Sequence, residues 1–116
     1  MIFARAWPSV YTGVIDFSDL SPILNLSFEW NEAKRFANVE KHDLDFEDVV
    51  VVFDDPGAFE YEAVRNGESR RVRVGAMKDR VVAVVFVVRG QITRLISARY
   101  ARRVERQIYE ANRERE

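Results

Sequence analysis

Val81-Val82-Ala83-Val84-Val85-Phe86-Val87-Val88, then Arg89-Gly90, then Gln91-Ile92-Thr93-Arg94-Leu95-Ile96-Ser97-Ala98 is the run that decides the fold. Its first eight residues are apolar without a break, the pattern of a central strand buried on both faces. Arg89-Gly90 reads as the turn, and Gln91 to Ala98 as the last strand of a sheet. Working back, Lys78-Asp79 is the preceding turn and Ser69 to Met77 the strand before it. Asn66-Gly67 has the chemistry of a tight hairpin, with Ala58 to Ala63 as its first arm. Working forward, a helix is expected from about Ala101 to Arg113. Its apolar side is Ala101, Val104, Ile108 and Ala111, with Arg102, Arg103 and Arg106 off it.

Towards the N-terminus, Phe28-Glu29-Trp30 reads as a short strand. Asn31 is a good helix N-cap, and Glu32 suits the first turn. That helix is expected to end near His42, with Asp43 taking the left-handed C-terminal conformation. Ala33, Phe36 and Ala37 mark its buried side, and Lys34, Asn38, Lys41 and His42 its polar face. Asp45 caps a second helix, whose stripe of Phe46, Val49, Val50 and Phe53 is core. Asp54-Asp55-Pro56-Gly57 ends it with turn chemistry. The expectation is an α+β fold: an antiparallel sheet of about four strands, two N-terminal helices and a C-terminal helix, packed on one face. Residues 28–116 would form one domain, and residues 1–27 an N-terminal extension of uncertain structure.

Composition narrows the chemistry. The chain of 116 residues has no cysteine and one histidine, His42. Disulfides, cysteine-based zinc sites and histidine-rich metal sites are therefore excluded, and neither a metal nor another cofactor is expected. No apolar run reaches the ~18–20 residues of a membrane span, and the N-terminus makes a poor signal peptide. No membrane partner is expected, and the cytoplasm is the default location. The net charge of -1 hides a polarity. Residues 1–68 carry 5 Lys/Arg against 14 Asp/Glu, a net of -9, and residues 69–116 carry 13 against 5, a net of +8. Such asymmetry suits a polyanion or an acidic partner on one face. It equally suits two halves that neutralise each other within one fold.

No Gly-rich phosphate loop, Ser/His/Asp arrangement or two-histidine motif is present. Cleaving RNA needs less, because the substrate supplies its own nucleophile, the ribose 2′-OH. The protein must take that proton, stabilise charge at phosphorus and protonate the leaving 5′-oxygen. Arginine suits the second task, since its planar donor fork binds phosphate in bidentate fashion. Glu68 and Arg70, two apart on one strand, point to the same face as Val72 and Val74. They fit either a base beside a phosphate clamp or a structural ion pair. Arg71 and Arg73 point the other way and suit a solvated face. Arg94 and Arg99, five apart, fall on opposite faces unless the strand ends or bulges between them. With a helix starting near Tyr100, Arg99 would sit at the strand–helix junction, near N–H groups that favour anions. His42 has a pKa useful near neutrality, but equally fits a helix C-terminal dipole residue. Lys34 and Lys41 fit either phosphate binding or solvation.

Phe28-Glu29-Trp30-Asn31-Glu32-Ala33-Lys34, Asn38, Lys41-His42, Phe46-Glu47-Asp48 and Val52-Phe53-Asp54-Asp55-Pro56 resemble the BrnT toxin family of bacterial toxin–antitoxin pairs. So do Glu68-Ser69-Arg70, Val74-Gly75, Arg94-Leu95-Ile96-Ser97-Ala98-Arg99, Ala101, Glu105-Arg106 and Tyr109. The resemblance spans about residues 28–110. It implies a RelE-like fold and a metal-independent endoribonuclease that inhibits translation. It also implies a cognate BrnA-type antitoxin, usually encoded alongside, in a complex that binds operator DNA only through the antitoxin; a homodimer within that complex is compatible with it. By matched position it points to Lys41, His42, Glu68, Arg70, Arg94 and Arg99. On this reading Arg70 and Arg99 hold the scissile phosphate, Glu68 or else His42 handles protons, and Lys41, Lys34, Arg94 and Arg102 bind RNA. Two other readings compete. One is a non-catalytic module that binds nucleic acid or protein through its basic C-terminal half. The other is a structural subunit whose exposed strand edge joins a partner's sheet.

Overall fold

The computed structural model describes residues 27–114. All of the expected extension but Ser27 lies outside the described residues. The elements in chain order are β1 (Ser27–Glu29), α1 (Glu32–His42), α2 (Phe46–Val49), a 3-10 segment (Val50–Asp54), β2 (Phe59–Arg65), β3 (Glu68–Met77), β4 (Arg80–Arg89), β5 (Ile92–Tyr100) and α3 (Arg103–Glu114). The sheet has five strands in the order β1-β5-β4-β3-β2. β2 to β5 form the expected antiparallel meander, with the apolar strand β4 at the centre. The expectation of about four antiparallel strands needs correction, because β1 adds to β5 in parallel, Phe28 opposite Thr93. Pairing a segment before α1 with the last strand makes the sheet mixed, and no local sequence pattern encodes it.

The second helix is also shorter than expected. Only Phe46–Val49 is α-helical, and the chain then tightens into the 3-10 segment. A run of β-branched valines, Val49 to Val52, has little helix preference. The three-residue repeat of the tighter turn brings Val49 and Val52 inward together, and both are fully buried. With Phe46, Trp30, Leu44 and Phe28 they pack on Val82, Val84, Phe86, Leu95 and Ala98 of the sheet. The opposite face carries a second cluster, in which Tyr109 of α3 packs with Val72, Val74, Ala83 and Ala101. Helices therefore cover both faces rather than one. α2 and the 3-10 segment form one layer, and α3 the other.

Turns and caps follow the local chemistry. Asn31 Oδ1 accepts the Lys34 N–H, Asp45 Oδ1 accepts the Glu47 N–H, and Asp43 sits at φ 60° with its N–H on the Val39 carbonyl. Asn66 and Gly67 both have positive φ, as a two-residue hairpin of this type requires. Gly75 answers a close approach, since a Cβ there would lie 3.1 Å from the Val52 Cβ and 3.2 Å from Asp55 Oδ2.

The faces of α1 and α3 are the largest departure. Phe36 is 60% exposed, Ala33 and Ala37 are exposed, and Asn38 is buried. In α3 the buried residues are Glu105 and Tyr109, whereas Val104 is 63% and Ile108 43% exposed. Both helices turn hydrogen-bonding residues inward to meet backbone or charged groups of the sheet. β1 pairs with β5 only as far as Arg94. Beyond it, Asn38 takes the place of a strand: its amide donates to the Ala98 and Leu44 carbonyls at 2.9 Å and accepts the Ala98 N–H at 3.0 Å. Asp55 does the same for β3, whose pairing with β2 ends at Val74. It accepts the Ala76 N–H at 2.8 Å and the Tyr109 hydroxyl at 2.7 Å.

Asn38→Ala is expected to destabilise the protein by about 1–3 kcal/mol, because it strands buried backbone groups at Ala98 and Leu44. Phe36→Ala on the same helix should stay within about 0.5 kcal/mol. Urea unfolding of the two variants measures the contrast, and a larger loss from Phe36→Ala would reverse the assignment of faces.

Candidate functional site

The α3 side of the sheet is covered at one end only. Val72, Val74 and Ala83 lie under Tyr109, while Ala63, Arg70, Val85, Val87, Arg94 and Ser97 remain partly exposed. Arg70 lies opposite Ala63 of β2, and Arg94 lies opposite Val87 of β4. Arg71 pairs with Phe86, so Arg70 is next to Val87 in turn. Arg70 and Arg94 therefore stand in one row, two strand spacings or about 10 Å apart. Between Arg94 and Arg99 the strand bulges: Val85 faces Ser97 but Phe86 faces Leu95, which leaves Ile96 unpaired. One extra residue turns five positions into an even step. The bulge thus brings Arg94 and Arg99 to the face that also carries Arg70, which simple alternation would have forbidden.

The three arginines differ in how firmly they are held. Arg70 donates from one Nη to Glu68 at 3.0 Å, Glu68 itself being 65% exposed, and Arg70 Nε is buried without a hydrogen-bond partner. Arg94 donates to Glu29 of β1 at 2.9 Å, and both side chains remain partly exposed. Arg99 is different. It grips Glu105 with both Nη atoms, at 2.7 and 2.9 Å, and its second Nη also reaches the Tyr61 hydroxyl at 3.4 Å. Its expected place at a strand–helix junction is corrected: β5 continues to Tyr100, and Arg99 lies within it, opposite Ala83.

Glu105 gathers this end of the site. Besides Arg99 it accepts the Tyr61 hydroxyl and, at 2.8 Å, the Arg102 N–H. The last bond is the returning half of a capping box, made by the third residue of the helix to its N-cap. Burial alone would raise the Glu105 pKa. The Arg99 guanidinium, the Tyr61 hydroxyl and the Arg102 N–H outweigh it and hold the carboxyl at about 2. The same contact with Glu105 raises Arg99, while burial and Glu105 together raise Tyr61. Both stay protonated and serve as donors at neutral pH.

The other candidates lie elsewhere. Lys34, Lys41 and His42 belong to α1, beside the free edge of β5; Lys34 and Lys41 are exposed. No hydrogen bond or ion pair among the described residues links them to the sheet arginines. Arg102 is exposed at the start of α3. Arg71 and Arg73 do point to the other face, where Glu60 pairs with both. Arg73 is not solvated, however: it donates to the Val52 and Asp55 carbonyls and so pins the 3-10 segment to the sheet. The residues that sequence reading passed over are Tyr61 and Glu105. Tyr61 sits at an ordinary alternating strand position. The available signal for Glu105 was its place three residues after a helix-capping position.

The family model described as ribonuclease toxin, BrnT, of type II toxin–antitoxin system matches residues 30–105. The chain belongs to this BrnT family. No curated protein matches it. The match runs from the end of β1 to Glu105, so it takes in Arg70, Arg94, Arg99 and the carboxylate that holds Arg99. As a BrnT-family member the protein is a ribonuclease toxin, and the family implies an antitoxin partner and RNA as the substrate. Among the described residues no group of three His, Cys, Asp or Glu stands close enough to hold a metal ion, and no helix is long and apolar enough to cross a membrane.

Two outcomes follow for this BrnT-family toxin. Arg99→Ala would strand the buried Glu105 carboxylate and should cost about 3–5 kcal/mol of stability, with a smaller loss when Glu105→Gln is added; a double-mutant cycle by urea unfolding reads the coupling. Glu105 is lowered from 4.5 to about 2 on folding, so its stabilisation is complete above the unfolded value and lost as pH falls from there through about 2. Stability of the wild type should decline across that window more steeply than that of Glu105→Gln, and equal slopes would contradict the assignment.

Proposed function

We propose that the protein cleaves RNA by 2′-OH chemistry on the uncovered sheet face, with Arg70 and Arg94 as the phosphate clamp. The observation that carries this is the bulge at Ile96, which sets Arg94 on the same face as Arg70, with Arg99 on that face about 13 Å further along the sheet. Two long side chains rooted two strand spacings apart, about 10 Å between their backbones, can bring both guanidiniums to one phosphodiester. Arg70's present partner gives way readily, because a carboxylate as exposed as Glu68 contributes little to stability; Arg94 must exchange the less exposed Glu29 for the phosphate. Arg99, already satisfied by Glu105, adds positive potential and a fixed wall; it is a positioning residue rather than the clamp itself.

Glu68 stands beside the clamp and takes the 2′-OH proton. The 2′-oxygen attacks phosphorus, the bond to the 5′-oxygen breaks, that oxygen takes a proton from water, and the products are a 2′,3′-cyclic phosphate and a 5′-OH end. The clamp stabilises the charge that gathers on the non-bridging oxygens. Lys34, Lys41 and Arg102 are better suited to the flanking RNA backbone, which they would bind through charge, with His42 beside Lys41 as a hydrogen-bonding neighbour. We place this activity in the cytoplasm, where cutting RNA inhibits translation. A BrnA-type antitoxin neutralises it, in a complex that reaches operator DNA through the antitoxin.

The test is cleavage of a mixed-sequence RNA by antitoxin-free protein in excess EDTA, with analysis of the product ends. Cyclic phosphate ends are expected, with a loss of roughly 10²–10³-fold for Arg70→Ala or Arg94→Ala at unchanged unfolding midpoint. Intact RNA that is merely bound by the folded wild type would favour the non-catalytic module instead.

A further inference from the structure

The apolar side of α3 does not face the core, and this leaves a surface that the cleavage chemistry does not use. Val104 and Ile108, one helical turn apart, are both exposed. Together with Phe59 and Tyr61 of β2 they line a groove of about 650 Å³ that runs between the helix and the edge strand. The Phe59 and Tyr61 rings stack with centroids 6.4 Å apart and form one wall. Arg102 and Arg103 stand at the groove, and Arg106 lies one turn along from Arg102 and Arg103. All three are exposed, and none forms an ion pair among the described residues. Arg35 of α1 and the sheet arginines Arg70, Arg71, Arg73, Arg94 and Arg99 each have a carboxylate, whereas Arg65, Arg80 and Arg89 at strand ends, like the three groove arginines, have none among the described residues.

We propose that this groove between α3 and β2 is the antitoxin's docking surface, and that its occupant is an amphipathic helix with an apolar stripe and an acidic margin. The inference rests on membership of a type II toxin–antitoxin family, which supplies the partner but not the place. Charge complementarity selects the occupant. An exposed apolar stripe flanked by unpaired arginines is met by the reverse pattern, apolar residues at helical spacing with Asp or Glu beside them. A segment seated there would cover the outer side of the helix that Glu105 ties to Arg99, and its carboxylates would occupy Arg103 and also Arg102, which is proposed above to meet RNA.

The experiment uses the full-length protein and its cognate antitoxin, with affinity read by titration calorimetry and RNA cleavage measured in parallel. Ile108→Asp and Val104→Asp should each weaken antitoxin binding by roughly 30-fold or more, as expected of central interface positions. Both should cut antitoxin-free RNA at the wild-type rate. Arg103→Glu should weaken binding, and the wild-type affinity should fall with added salt. Phe36→Asp, on the exposed side of α1, should bind as wild type, and circular dichroism melts confirm that each variant is folded. Wild-type affinity in folded Ile108→Asp and Val104→Asp would overturn the docking surface while leaving the toxin reading intact. A wild-type chain that binds no antitoxin would overturn both. A wild-type dimer that Ile108→Asp converts to a monomer with antitoxin affinity unchanged would assign the groove to a second copy of the chain and overturn the proposal.

Discussion

The buried Glu105 carboxylate is the contact on which the α3 side of the molecule depends. One side chain caps the start of α3, fixes the Arg99 guanidinium and receives the Tyr61 hydroxyl from the far edge of the sheet. A buried carboxylate is costly unless each lone pair finds a donor, and here the donors come from β5, β2 and the helix backbone. The helix is therefore held by a charge and not by its apolar stripe. That exchange has two consequences. It leaves Val104 and Ile108 facing outward, and it removes Arg99 from the set of guanidiniums free to meet a ligand.

The same logic recurs where strands outrun their partners. Asn38 completes the edge of β5 beyond β1, and Asp55 completes the edge of β3 beyond β2. Each polar side chain satisfies backbone groups that a further strand would otherwise have paired. Asp55 also joins the two layers, since it sits at the end of the 3-10 segment and accepts the hydroxyl of Tyr109 from α3. Burial works against its ionisation, but the Ala76 N–H, the Tyr109 hydroxyl and the Gly57 N–H keep its pKa low. Tyr109 is pushed up to about 12 by burial and by Asp55. Three polar residues, Asn38, Asp55 and Glu105, thus set the positions of elements whose apolar residues alone would have placed them otherwise.

This explains which parts of the fold were legible in the sequence. The central strand β4, the Asn66-Gly67 hairpin, the caps at Asn31 and Asp45 and the left-handed Asp43 all rest on local chemistry, and each stands where the residues put it. The orientation of α1 and α3 was not legible, because periodicity of apolar residues assumes that the apolar face is the buried one. The parallel addition of β1 to β5 joins segments 65 residues apart, Glu29 with Arg94, and nothing local encodes it. Of the candidate site, Glu68 beside Arg70 followed from strand alternation. Arg94 beside Arg99 did not, because it depends on a bulge at Ile96 that the apolar run around it conceals. Tyr61 and Glu105 were missed because each looks ordinary alone and gains its role only through the other.

The proposed function divides the labour among three arginines on one face, with Arg99 held by Glu105 and Arg70 and Arg94 available to phosphate. The most direct test is nitrogen-15 NMR of the arginine Nε–H groups during titration with a 2′-O-methyl RNA oligonucleotide, which binds but lacks the attacking hydroxyl. The Arg70 and Arg94 signals should shift on binding while the Arg99 signal, protected in its pair with Glu105, stays in place. A shift of Arg99 with Arg70 and Arg94 unmoved would contradict this division and assign the phosphate to Arg99 instead.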